Sequence, residues 1–363
     1  MLRRATLLLA LGCLLLAAKP SRSGGSQPEK DFDKFWQTYK DHYAFFALHG
    51  LNWDQVYATY RPTITARTTA AELQATLTKM IEPLQDGHIT ISKGDEILYK
   101  GTPGRHSFKT DFRDLQPQYW QTAYQTLTAA GFAPVRGLGP QVGKYQVLYL
   151  SQSSQHVGYL RLSRCFAELT GVVGTARQER QDQQRLLGLF DAALRELSAC
   201  RALIVDMRGN GGGHSGKEMA SRLSVGRVLT HFTAERQPGG YERFSPLQPY
   251  YLSPNPTLNY ARPVVILTND GTASSAEEFV LALHRQPHVT TIGDNTAGML
   301  SDMYQGELSG KVQFTLSHQR YYSPDTVLLE GGGVPVRLPV AYPRQALDQH
   351  QDPVLTKALE IIH

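Results

Sequence analysis

Residues 261–285 read ARPVVILTNDGTASSAEEFVLALHR. A continuous apolar run, Val264 to Leu267, stops at a glycine, and a second apolar pattern with helical spacing begins just after the hydroxyl cluster. Runs this apolar without alternation describe a strand buried on both faces. The turn after it opens a helix, so the stretch predicts a strand–turn–helix unit. Similar units recur on either side. HVGYLRLSRC (156–165) and RALIVDMRGN (201–210) read as strands, with an amphipathic helix, QERQDQQRLLGLFDAALRELSA (178–199), between them. GHSGKEMASRLS (213–224) reads as a helix, VTTIGD (289–294) as a strand, and VQFTLSHQRYY (312–322) as β-rich. Alternating buried strands and helices predict an α/β core whose sheet is covered on both faces.

N-terminal to this core the texture changes. After an apolar leader and a short polar linker (23–30), residues 31–85 are helical in pattern. Phe32, Phe35, Trp36, Tyr39 and Tyr43 fall at three- and four-residue steps, as do Leu73, Leu77, Ile81 and Leu84. The aromatic stripe reads as core packing. Residues 95–155 mix turn signals with short strand-like runs around a helical QPQYWQTAYQTL (116–127). The organisation is a signal peptide (1–22), linker (23–30), helical cap (31–92), a connecting region (93–155), the α/β core (156–345) and a C-terminal helix (346–363).

The leader places two arginines before an apolar run from Ala5 to Ala18. That is the layout of an export signal, and the run is short for a membrane span. The destination expected is the bacterial periplasm or the extracellular space, with no span left once the leader is removed. An uncleaved anchor and lipidation at Cys13 are the lesser readings. Cys165 and Cys200 lack metal or redox spacing and sit beside apolar segments, so buried thiols are as good a reading as a disulfide. With 41% hydrophobic residues the chain is of ordinary globular composition. Its net charge of +5 is spread without basic runs, which argues against a nucleic-acid partner.

Chemistry in such a fold gathers where strands end and helices begin. One junction carries Asp206, Arg208 and Asn210 and then Gly211, Gly212 and Gly213. Consecutive glycines present backbone N–H groups to an anion, and the spacing fits neither nucleotide-binding glycine pattern. The other carries Thr272, Ser274 and Ser275. Either serine reads as a helix cap completed by Glu277 or Glu278, or as a nucleophile on a helix N-terminus. A serine nucleophile needs a base, and His88 in LQDGHITIS (84–92) is one of several loop histidines available.

In order, DGH, GYLRL, LIVDMRGNGGG, NDGTASSAEEFVLAL, GDNTAGMLSD and YYSPDTVLLEGGGVP resemble the serine peptidases comprising the C-terminal processing (tail-specific) proteases and the tricorn core. The resemblance implies a crotonase/ClpP-like α/β catalytic core under an N-terminal helical cap, acting on peptide or protein substrates with no metal or organic cofactor. It implies Ser274 as nucleophile and an oxyanion hole from the N–H groups of Ser275 and a turn glycine, Gly212. Tail-specific members carry a lysine base about 25 residues after the serine, where this chain has Met299. The tricorn-like branch uses a histidine closing the cap, which here is His88, with a preceding serine and a distant glutamate orienting it. Gly87 stands at that serine position, Glu330 in LLEGGGVP is the glutamate, and Asp86 is its rival. GVPVR departs from the family's ending of this motif, and residues 95–155 lack a recognisable PDZ carboxylate loop. Two other functions fit the same fold: a catalytically silent carrier of apolar ligands, and an esterase using the same residues.

Overall fold

The computed structural model describes residues 25–362 apart from 105–106 and 169–174. The leader and Cys13 lie outside them. Among the described residues no helix is long and apolar enough to cross a membrane.

A seven-stranded sheet forms the centre. Its strand order is Leu338–Pro339, Val289–Gly293, Val264–Thr268, Ala202–Asp206, Val157–Leu162, Tyr145–Gln152 and Arg136–Val142. The first five run parallel, and the last two are joined by antiparallel pairings, so the sheet is mixed. The three central strands are buried at every position, which is why their sequences show no alternation. Helices Ala176–Glu196 and Ser275–Leu283 cover one face through Leu186, Phe190, Phe279 and Val280. Helices Gln116–Ala129 and Pro353–Ile361 cover the other through Tyr119, Trp120, Leu355 and Ala358.

The helix read at 116–127 is present and covers the sheet, and the connecting region also holds two strands, Arg136–Val142 and Tyr145–Gln152, that its mixed texture did not resolve. Arg136–Val142 is mostly of intermediate exposure and Tyr145–Gln152 mixes buried and intermediate positions, so neither the buried-run nor the alternating signature shows in the sequence.

The cap consists of helices Gln27–His42, Trp53–Tyr60 and Ala70–Ile81. Phe32, Phe35, Tyr39 and Tyr43 pack inside it, as core residues. Their partners come from far along the chain. The cap helices rest on a four-stranded antiparallel sheet ordered Met303–Glu307, Val312–Ser317, Thr90–Lys93, Glu96–Lys100. Phe314 and Leu316 enter the cap core, with the Phe35 and Phe314 rings 4.8 Å apart. A third sheet, Gln319–Tyr322 with Val228–Glu235 and Gln248–Leu252, extends from the same segment. The cap is therefore completed by residues 303–317, which come from within the α/β core's span of sequence, between strands Val289–Gly293 and Leu338–Pro339.

Candidate active site

The strand Val264–Thr268 ends in a tightly tied turn. Thr272 Oγ1 donates to the Met207 carbonyl (2.9 Å), and the Ala273 N–H donates to the Asn210 carbonyl (2.9 Å). These bonds lock the two strand-end turns together. Ser274 follows with φ 55° and ψ −127°, a conformation an L-residue adopts at a cost of about 1–3 kcal/mol. Its N–H donates to the Met299 carbonyl (3.0 Å) and to Glu277 Oε2 (3.1 Å). Ser274 is half-buried, while Ala273, Ser275 and Ala276 around it are buried, so the strain turns the one accessible serine out of the core.

Glu277 fulfils the capping expectation and does more. It is fully buried, and its carboxylate accepts from Thr296 Oγ1 (2.6 Å) and from the N–H groups of Gly298 (2.8 Å), Met299 (2.7 Å) and Ser274. Burial pushes its pKa up to about 7, against these four hydrogen bonds, which favour the anion. Glu277 thus joins the serine turn to segment 296–299. The cap pattern in the sequence shows the Ser274 contact and contains no signal for the other three.

Helix Ser275–Leu283 begins at the serine turn, and the Ser275 N–H has no partner among the described residues. Ser275 Oγ accepts the Gly216 N–H (2.8 Å), tying in the helix after the glycine turn. Gly212, at φ 95°, lies against the serine. A Cβ there would meet Ser274 Cβ at 2.8 Å and the Ser275 nitrogen at 3.0 Å, so only glycine fits. The Gly212 N–H donates to its neighbour Asn210 Oδ1 (2.9 Å) and is engaged in this conformation. The N–H groups of Gly211 and Gly213 make no hydrogen bond among the described residues.

His88 arrives from the cap. It is buried, at 7% exposure, and directly precedes and flanks strand Thr90–Lys93. Thr315 Oγ1 donates to the His88 carbonyl (2.6 Å), and the His88 N–H donates to Asp86 Oδ1 (2.8 Å). Met299 connects this loop to the serine. Its carbonyl holds the Ser274 N–H, while its methyl packs where a Cβ on Gly87 would sit, 2.4 Å from that position. Pro103 would meet the same Cβ at 2.7 Å. Gly87 is thus the residue that Met299 and Pro103 leave room for. Gly87→Ser should cost about 1–3 kcal/mol by overpacking, with part recovered by adding Met299→Ala. Urea midpoints of the two variants check this.

The imidazole Nδ1 is buried with no hydrogen-bond partner, as is Asp86 Oδ2. Burial lowers the His88 pKa below its usual 6.5, while Asp86 and Asp302 favour the cation. Asp302, within the GDNTAGMLSD motif, had no separate signal in the sequence. Glu330 is also buried, and Oε2 accepts the N–H groups of Leu300 (3.1 Å) and Ser301 (3.3 Å). Burial, and then Asp86, hold its pKa well above the carboxylate range. No hydrogen bond joins Glu330 to the His88 ring among the described residues. Asp86, Met299 and Glu330 instead line a common cavity of about 220 Å3.

A serine–histidine–aspartate contact occurs elsewhere. His214 lies 3.0 Å from Ser215 Oγ and 3.0 Å from Asp182 Oδ2. Ser215 is fully buried, and Asp182 also accepts the Ala167 N–H, so this group braces the loop beside the glycine turn. Cys165 and Cys200 are free, buried thiols.

A model of peptidase family S41 matches residues 156–337, and a model of the tricorn protease C1 domain matches residues 26–82. A carboxyl-terminal-processing protease of Synechocystis sp. is 28% identical over 178 residues, covering 48% of this chain and 35% of that protein. Carboxy-terminal processing protease CtpB of Bacillus subtilis is 34% identical over 113 residues, covering 30% of this chain and 22% of that protein. The match thus spans about a third or less of these relatives' length. A Parabacteroides merdae structure superposes with TM-score 0.69 at 23% identity, over 93% of this chain and 97% of that one. Mature CPAF gives TM-score 0.59 at 13% identity, over 93% and 96%. The tricorn protease gives 0.54 at 14% identity, over 93% of this chain and 36% of that one. These structures share the fold, cap included, and the sequence match carries the kinship: the chain belongs to peptidase family S41.

Proposed function

We propose that the protein is an exported serine-type peptidase that cleaves peptide bonds through an acyl-enzyme on Ser274, with His88 as general base. The observation carrying this reading is the bridge through Met299, which binds the strained Ser274 with its backbone and packs its side chain against Gly87, the residue before His88. The thioether also stands where a lysine base would, so it supplies no proton acceptor. Neutral His88 takes the serine proton as the oxygen attacks the substrate carbonyl, and returns it to the leaving amine. The free Ser275 N–H is one oxyanion donor. The second comes from the glycine turn, with Gly212 engaged once its N–H leaves Asn210, since donors must point at the developing charge. Glu330, or Asp86 in its place, stabilises the imidazolium across the cavity they share, directly or through water.

The test is the rate of phosphonylation by a fluorophosphonate probe, read by intact mass as a function of pH. The base must be neutral, and burial lowers its pKa. The rate should therefore hold constant from pH 8 down to about 6.5 and fall below that. Glu330→Gln should slow the plateau and shift the acid limb, and Asp86→Asn is the matching control. A rate that climbs steadily through pH 9 to 10 would indicate a lysine-like base, and unchanged labelling of Ser274→Ala would remove the serine from the mechanism.

A further inference from the structure

Arg161, on central strand Val157–Leu162, is 3% exposed, yet no carboxylate pairs with it within ion-pair distance among the described residues. Its guanidinium lies 3.3 Å over the Trp120 ring, with the Tyr149 and Tyr145 rings 4.8 and 5.1 Å away. One donor is used: Nη1 gives a hydrogen bond to Tyr124 Oη (2.9 Å). Nε is buried without an acceptor, and Nη2 makes no hydrogen bond among the described residues. Asp206 is its register partner on the next strand, but both carboxylate oxygens are taken up by Arg208, one of them shared with Tyr159. A buried guanidinium left with open donors is costly unless an acceptor reaches it.

The acceptor's route is a groove of about 530 Å3, open to solvent, that these aromatic rings line together with Lys144. Among the described residues no Asp or Glu lines it. It lies on the sheet face covered by helix Gln116–Ala129, opposite the face that carries the Ser274 helix. None of its residues belongs to the site described above.

We propose that this groove binds an acidic side chain of an extended peptide segment, with the carboxylate on the Arg161 guanidinium and the chain lying along the Tyr and Trp walls. A planar fork with free N–H groups matches a carboxylate, and a second cation on the rim adds to the field. Aromatic side chains supply contact area to the flanking residues at little entropic cost. The groove is open to solvent, so an acidic side chain can enter it without the peptide chain having to end there. The site is a recognition surface for the protein's peptide partner and does not depend on the identity of the catalytic base.

The test follows the indole 15N–H signal of Trp120, assigned by its loss in Trp120→Phe, in the full chain carrying Ser274→Ala so that probes stay intact. The probe is N-acetylated, C-amidated Ala-Ala-Glu-Ala-Ala. It should shift the signal saturably, and the Gln-containing peptide should bind about tenfold more weakly, the effect of losing one charge-assisted contact. Lys144→Glu, at an exposed position, should weaken the Glu peptide several-fold, and Arg161→Lys should lose the binding. If Arg161→Lys does not fold, the peptide pair and Lys144→Glu decide alone. Equal binding of the Glu and Gln peptides overturns the proposal, as does no shift up to about 10 mM. Binding only of the free-acid all-Ala peptide also overturns it, in favour of chain-terminus capture.

Discussion

Ser274→Ala should reduce kcat/KM for hydrolysis of an unstructured protein such as casein by about ten-thousand-fold or more, and His88→Ala should do nearly the same. The double variant should lose little beyond the worse single one, because nucleophile and base act in one step and their losses do not add. A further variant separates chemistry from architecture. Ser274 sits at φ 55° and ψ −127°, a conformation held by the Met299 carbonyl and the buried Glu277 carboxylate. Glycine adopts that conformation without strain, so Ser274→Gly should be inactive yet raise unfolding stability by about 1 kcal/mol, whereas Ser274→Ala keeps the strain. Thermal unfolding of the three proteins provides the comparison. An Ala variant that retains turnover, or a Gly variant that unfolds earlier, would contradict the reading of this turn.

The largest structural effect is expected at Arg208. It is fully buried, gives Nε and Nη2 to Asp206 (2.9 and 2.7 Å), and gives Nη1 to Asp352 (2.9 Å). Asp352 caps the C-terminal helix through the Leu355 N–H, so the guanidinium clasps that helix to the strand end preceding the glycine turn. Arg208→Met leaves two carboxylates buried without their cation, at a cost of about 3–5 kcal/mol. That is a large share of the total stability of an ordinary domain. The loss should shrink on acidification. Burial raises the Asp352 carboxyl, and losing the Arg208 cation removes what opposes that rise, so its contribution to stability is present below the unfolded pKa and lost as pH rises through the folded one. Urea midpoints at pH 7.5 and pH 5 measure both effects. Adding Asp206→Asn and Asp352→Asn should return part of the loss at pH 7.5, since no unpaired charge then remains.

Local pattern carries a good deal of this protein. Buried runs such as Val264–Thr268 and Ala202–Asp206 appear as strands because burial on both faces erases alternation. The Ser274 turn is legible because Gly271 ends one pattern and Glu277 completes a helix cap in the next. Met299 in place of lysine is legible by counting. What local pattern does not carry is which distant segments meet. Strand Val312–Ser317 looks like any exposed-to-buried strand, yet it leaves the α/β core, pairs with Thr90–Lys93 and places Phe314 inside the cap. That pairing anchors the His88 carbonyl on Thr315 and brings the cap loop to the segment that binds Ser274.

Other site details are decided the same way. Gly87 reads as a departure from a serine until Met299 and Pro103 are seen to fill the space. Asn210 reads as a turn residue until its side chain is found holding the Gly212 N–H. Composition and periodicity therefore determined the buried strands, the helices between them and the turn that carries the hydroxyl cluster, because each depends on neighbours within a turn or two of chain. The choice of Ser274 within that turn is what the family resemblance implies. The tertiary structure alone decided the meeting of cap and core around His88, because contacts across more than two hundred residues, such as Thr90 with Thr315, leave no periodic trace in the sequence.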